Sequence, residues 1–336
     1  MYIILAIIAF GLLILIHELG HFTMAKINGV KVEEFAIGMG PQLFGIKGKE
    51  TKYSIKLLPI GGYVKMLGDE GESADPGAFN NKTPLRKLSI VIAGPIMNFI
   101  LGILLFAIIA SQRGYLVPII NSTIKNQPAQ QVGLKTGDRI IKVNNSKIHT
   151  WEDFTTEIYT NGKNNLNVTY KRGNDIKQVA IKPVFDKKEK RYMIGASGTQ
   201  ITNPNLGQSI SYGFIETRSL VNQTFAFFKT LFKGKASMND VGGPVTIIKI
   251  SGAAAKAGIL SLAAFSAYIS VQLAIFNVIP FPALDGGYIF LFLFEIITGK
   301  KVDENRVGMI NYVGFALLMM LMVIVTVKDI IHPIQF

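Results

Sequence analysis

MYIILAIIAFGLLILIHELGHFTMAKI, residues 1–27, sets three ionisable side chains, His17, Glu18 and His21, in an apolar run long enough to cross a bilayer. Even lenient insertion scales charge roughly 2.5–3.5 kcal/mol for each strongly polar group at mid-bilayer, so something must compensate. Their spacing points to a metal ion. On a helix, positions i and i+4 share a face about 6 Å apart, so His17 and His21 point the same way and Glu18 projects beside them. Two such imidazoles can hold one Zn2+ at about 2.0–2.1 Å each, with the glutamate next to the water to be activated, which is the chemistry of an HExxH helix. The competing reading is a helix whose polar residues pack against polar partners.

Working outward, the 336-residue chain has a mean hydropathy of +0.35 and 49% hydrophobic residues, too apolar for a soluble protein of this size. Apolar spans fall at roughly 2–25, 88–111, 262–298 (interrupted) and 308–327, which predicts a polytopic α-helical membrane protein with four transmembrane helices. The net charge of +13 is spread over loops, so nucleic acid is not expected and the bases read as solvating charges and contacts with the lipid bilayer. Lys26 and Lys31 follow the first span and Arg86 and Lys87 precede the second, which puts 28–87 in the cytosol and 112–260 outside. The C-terminus then lies outside as well. The first span has neither a basic n-region nor a small-residue cleavage site, so it reads as a retained helix. With no cysteine, neither disulfides nor thiolate chemistry is available.

After the first span, Gly38-Met39-Gly40-Pro41 reads as a turn, and Lys52–Leu57 and Tyr63–Leu67 read as strands joined through Pro59 and Gly61-Gly62. A small sheet with an open edge can pair with an extended peptide by strand addition, or can simply cover the metal helix. Residues 71–83 read as a cytosolic linker or flexible loop. In the second span Asn98 is the one strongly polar side chain, read as a hydrogen bond to a neighbouring helix, with substrate contact as the alternative. From about 113 to 200 the composition becomes that of a soluble α+β domain, and Gln127–Asn145 carries the GL…GD…I…VN pattern of a PDZ-like domain. Its sheet edge would either bind peptide or act as a spacer or size filter. Helices and strands are expected at Trp151–Tyr159, Asn165–Lys171 and Asp175–Pro183, with Trp151 packed inside and His149 and His332 at the surface. Residues 206–232 carry apolar side chains at helical spacing and predict an amphipathic helix in the outer membrane interface. Gly242-Gly243-Pro244 ends it, and 245–257 connects to the third span.

That span contains Asn277-Val278-Ile279-Pro280-Phe281-Pro282-Ala283-Leu284-Asp285-Gly286-Gly287, where two prolines release backbone groups at membrane depth. Irregular backbone there is tolerated only when it is buried in protein or lines a cavity. At about 1.5 Å per residue, His17 lies roughly 14 Å from Lys26 and Asp285 roughly 22 Å from Lys300, so the two can share a depth. Two histidines and a carboxylate with one position open are the ligand set of a catalytic zinc site.

HELGH in the first span, Ala93-Gly94-Pro95 with Asn98 in the second, one PDZ-like domain and the Asn277–Gly287 stretch together resemble the bacterial site-2 proteases, specifically the RseP-type intramembrane zinc metalloproteases. The resemblance covers nearly the whole chain in order and spacing. It implies that His17, His21 and Asp285 are zinc ligands, that Glu18 is the general base, and that Asn277 and Pro280 help hold an unwound substrate. It also implies that the hairpin strand with Tyr63, Val64 and Lys65 contacts substrate. The implied substrates are single-pass membrane proteins, such as anti-sigma factors already trimmed by an upstream site-1 protease, or remnant signal peptides. The implied location is the bacterial inner (cytoplasmic) membrane, with the PDZ-like domain extracytoplasmic. Some members carry two PDZ domains and this chain has room for one, so size-filtering by a tandem pair does not transfer. The expected division is 1–112 (spans one and two with the hairpin), 113–200 (PDZ-like), 201–260 (interfacial helix and connector) and 261–336 (spans three and four). A metal-binding membrane receptor or transporter with a peptide-docking PDZ domain is the alternative function.

Overall fold

The computed structural model describes residues 2–69, 71, 73–187, 189, 191–234 and 242–332. In chain order the elements are α1 (Tyr2–Ile27), β1 (Val32–Lys47), β2 (Lys52–Met66), α2 (Pro84–Arg113), β3 (Tyr115–Thr123), α3 (Pro128–Gln131), β4 (Arg139–Val143), β5 (Ser146–Lys147), α4 (Trp151–Asn161), β6 (Leu166–Arg172), β7 (Asp175–Ile181), β8 (Val184–Asp186), β9 (Arg191–Met193), β10 (Ala196–Ile201), α5 (Leu206–Phe232), α6 (Pro244–Ala257), α7 (Ile259–Val278), α8 (Asp285–Thr298) and α9 (Glu304–Ile331). They form two compact units, Met1–Leu105 with Phe227–Phe336, and Phe106–Ala226.

Among the described residues, Ile4–Ile27, Pro84–Arg113, Ile259–Val278 and Asn305–Ile331 are long and apolar enough to cross a membrane. Met309, Phe315, Met320 and Leu321 on α9 are exposed, as expected for side chains whose solvent is lipid. α1 ends where Asn28 and the left-handed Gly29 (φ 67°) turn the chain and let Val30 N–H donate to Ala25 O. The interrupted third span is two helices. Ile279 to Leu284 separate α7 from α8, and α8, at 14 residues and about 21 Å, is too short to cross alone.

Two expectations are corrected here. Gly38 to Pro41 is not a turn: β1 runs through it, because Gly38 (φ 88°) and Gly40 (φ 85°) take left-handed conformations that bend the strand without ending its ladder. Gly61 (φ 83°) does the same for β2, so the two strands fold into four paired segments in the order 62–66, 32–37, 52–56 and 42–47. The stretch read as a linker is partly built into the core. Lys31 N–H donates to Gly77 O, Phe79 N–H donates to Leu67 O, and Phe79 packs with Ala25, Val32, Val64, Ile90 and Phe292. Residues 245–257 lie in the helix α6, whose Thr246 N–H donates to the buried Asp329 on α9.

The second unit contains the sheet β10-β3-β4-β6-β7, with β5 paired to β4. Its core is built from Ile120, Leu134, Ile140, Phe154, Leu166 and Val168, with Trp151 packed inside. The Gly137-Asp138 turn is locked by Arg172, which donates from Nε and Nη2 to the fully buried Asp138 carboxylate at 2.7 Å each. Despite its burial, that pairing holds Asp138 below the usual carboxylate range. Thr150 and Asp153 form a capping box at the start of α4. Ser219 and Gln223 of α5 donate to Asp153, and Tyr212 stacks on Tyr115 with ring centroids 4.4 Å apart.

Candidate active site

α1 carries His17 and His21 on one face, each only 9% exposed, and Asp285 reaches them from the first turn of α8. His17 Nε2 lies 3.1 Å from Asp285 Oδ2 and 3.2 Å from His21 Nε2, and His21 Nε2 lies 3.4 Å from the same carboxylate oxygen. His21 Nδ1–H donates to Ile90 O at 3.0 Å, which leaves the Nε2 lone pair facing the cluster. Lone pairs crowded this closely repel unless a cation lies among them. Tetrahedral ligation at 2.0–2.1 Å sets ligand atoms about 3.3 Å apart, so the 3.1–3.4 Å triangle fits zinc and keeps one position open.

The backbone around the cluster is shaped to admit it. A Cβ on Gly94 of α2 would sit 2.3 Å from His21 Nε2 and 2.8 Å from His17 Cε1, so only glycine lets the imidazoles seat there. Asp285 is aimed by the bend before it. Ala283 takes a left-handed conformation (φ 71°) and its N–H donates to Asn311 Oδ1 at 3.1 Å, while Asn311 Nδ2 donates to the Tyr288 hydroxyl. Gly286 is equally demanding, since a Cβ there would lie 1.9 Å from Ile279 O. Asn311 and Ile90 were missed in the sequence. One is an ordinary polar residue in the fourth span and the other acts through its carbonyl, so no side-chain pattern marks either.

Glu18 is half-buried, and its Cγ lies 3.0 Å from where a Cβ on Gly62 would stand, so the outer sheet segment 62–66 passes beside it. The side chains of that segment are engaged within the sheet. Tyr63 donates to Glu34, Val64 is buried, and Lys65 lies 3.9 Å from Glu33, which leaves the outer backbone edge of the strand. Glu34 is partly buried, yet hydrogen bonds from Ser54, Tyr63 and Lys56 pull its carboxyl down to about 2. Asn98 is brought to His17, its Nδ2 3.2 Å from His17 Nδ1. Asn277 is half-buried in the last turn of α7, and Pro280 is exposed in the break. His149 and His332 are at the surface.

The model of peptidase family M50 matches residues 5–321. The chain belongs to that family. A protein of Clostridium acetobutylicum is 55% identical over 99% of this chain and 98% of its own length. The zinc metalloprotease RasP of Geobacillus kaustophilus is 30% identical over 98% of this chain and 97% of its own, and the regulator of sigma-W protease RasP of Bacillus subtilis is 28% identical over 98% of both. The PDZ domain of an SdrC-like protein from Listeria monocytogenes aligns with 25% of this chain and 90% of its own at 25% identity, with a TM-score of 0.23. This M50 peptidase is therefore an intramembrane zinc metalloprotease.

Proposed function

We propose that the protease hydrolyses a peptide bond within the transmembrane segment of membrane-anchored substrates, with His17, His21 and Asp285 holding zinc and Glu18 moving the proton. The observation that carries this reading is the 3.1–3.4 Å triangle of two imidazole nitrogens and one carboxylate oxygen, with Glu18 adjacent in sequence to the first ligand. Zn2+ supplies a Lewis acid that polarises the scissile carbonyl and brings the pKa of water from about 15.7 toward about 7. Glu18 accepts a proton from the attacking water at its carboxylate and delivers it to the leaving amide nitrogen.

A transmembrane helix hides its peptide groups in its own hydrogen bonds and must unwind before a carbonyl can be reached. The outer backbone edge of 62–66, running beside Glu18, offers replacement hydrogen bonds to an extended chain. Asn277 and Pro280, at either end of the step from α7 into the break, are assigned to the same task. The name of the Bacillus relative supports anti-sigma-factor-like substrates; trimming beforehand by a site-1 protease, and remnant signal peptides as further substrates, are part of the same proposal. The protein is assigned to the bacterial cytoplasmic membrane, with the PDZ-like domain on the outer side docking or filtering the trimmed substrate.

Glu18→Gln tests the mechanism. It should keep one zinc per chain, lower cleavage of a membrane-spanning reporter by at least about 100-fold, and cause membrane stubs to accumulate in peptide mass spectrometry. Cleavage at the normal rate would overturn the assignment of Glu18.

A further inference from the structure

His17 poses a problem that the ligand set alone does not solve. Its Nε2 faces Asp285 Oδ2 at 3.1 Å and His21 Nε2 at 3.2 Å, so ligation from this atom requires that the ring proton sit on Nδ1. An Nδ1–H in a buried site needs an acceptor. The atom 3.2 Å from Nδ1 is Asn98 Nδ2, which carries hydrogens and cannot accept. The oxygen of the same amide, Asn98 Oδ1, is buried and has no hydrogen-bond partner among the described residues. Amide oxygen and nitrogen exchange places by a half-turn about the terminal side-chain bond with almost no change in shape.

We propose that Asn98 is a positioning residue for His17: its amide oxygen accepts the Nδ1–H, fixing the tautomer and ring plane that present Nε2 to zinc. His21 solves the same problem with the Ile90 carbonyl, so α2 supplies an acceptor to both imidazoles, one from its backbone and one from a side chain. The amide is itself held. Asn98 is fully buried, and the buried Ser270 hydroxyl on α7 donates to its backbone oxygen at 2.8 Å, anchoring this turn of α2. An outer acceptor of this kind orients a ligating histidine and raises its basicity, and losing one commonly costs 10–100-fold in metal affinity. The one strongly polar residue of the second span is thus used for the metal centre rather than for substrate contact.

This inference rests on the ligand set assigned above, and the experiment separates the two. Full-length protein in detergent is titrated with Zn2+ against a chromophoric chelator and with Co2+ followed by its visible absorption. Wild type, His17→Ala, Asn98→Leu and Asn98→Asp are compared, and unfolding of the metal-free proteins is recorded in parallel. Asn98→Asp keeps an acceptor and loses the donor. The expected result is zinc affinity within about threefold of wild type and an unchanged tetrahedral Co2+ spectrum for Asn98→Asp, with a loss of about 10–100-fold and an altered spectrum for Asn98→Leu. Equal losses in both variants would mean that Asn98 donates, and unchanged zinc affinity in Asn98→Leu would mean that it only packs; either result overturns the proposal. If His17→Ala binds zinc as wild type does, the ligand set itself fails.

Discussion

Gly94→Ala puts the cradle of the metal centre to a quantitative test. The added Cβ would stand 2.3 Å from His21 Nε2, 2.6 Å from its Cε1 and 2.8 Å from His17 Cε1, whereas ordinary contact begins near 3.4 Å. His21 must therefore retreat by about 1 Å, yet its Nδ1 is tied to Ile90 O at 3.0 Å, so the ring can only swing out of the ligand triangle. Metal–ligand distances tolerate about 0.2 Å, and a misplacement of about 1 Å can cost on the order of 100-fold. The expected outcome is zinc affinity weakened by at least about 100-fold, equivalent to about 2.7 kcal/mol. Overpacking alone should cost the metal-free protein about 1–3 kcal/mol. Chelator competition on the full-length protein reads the first quantity and thermal unfolding of the metal-free form reads the second. Gly11→Ala on α1, where none of the described residues lies within 4 Å of the new methyl, should change neither. Wild-type zinc affinity in Gly94→Ala would refute the reasoning, because the rings would then have to tolerate a displacement that the ligand geometry forbids.

Three further perturbations probe other parts of the molecule. Burial first, then the neighbouring Glu152 and Asp153, push Glu216 of α5 up to about 8; a carboxyl whose folded pKa is raised binds more protons folded than unfolded, so its contribution to stability falls as pH climbs from about 4.5 to about 8. Glu216→Gln should therefore raise the unfolding temperature at pH 8 and have little effect near pH 4.5, and equal midpoints for variant and wild type at pH 8 would contradict this. Arg172→Ala leaves the Asp138 carboxylate buried and unpaired, and should destabilise the second unit by about 3–5 kcal/mol, read as an early unfolding transition. Asn311→Ala removes the acceptor that holds the Ala283 N–H in its left-handed bend, for about 1–3 kcal/mol; reporter cleavage should fall about tenfold or more while the loop around 279–284 becomes more open to limited proteolysis.

Much of this protein is written in short-range patterns. An apolar run with His at i and i+4 specifies both a spanning helix and a shared imidazole face, because 3.6-residue periodicity is a local property of the backbone. Gly-Asp turns and alternating strands made the sheet and helices of the second unit legible for the same reason, and Pro280 and Pro282 marked the break ahead of Asp285 because proline breaks helices wherever it stands. The sequence of the hairpin was read less well. Glycines at 38, 40 and 61 look like turn residues, and only pairing with a partner strand shows that they bend a continuous ladder.

The sequence by itself determined the HExxH helix, the apolar spans, the break before Asp285 and the one strongly polar residue in the second span. Only the tertiary structure decided that Asp285 closes a 3.1–3.4 Å triangle with residues more than 260 positions away, that Gly94 makes room for both rings, and that Asn98 lies against His17. The physical reason is one of range. Periodicity and turn chemistry are satisfied within a few residues, whereas ligand distances and tautomers are set by which backbones approach one another, and that is settled when α1, α2, α7 and α8 pack together.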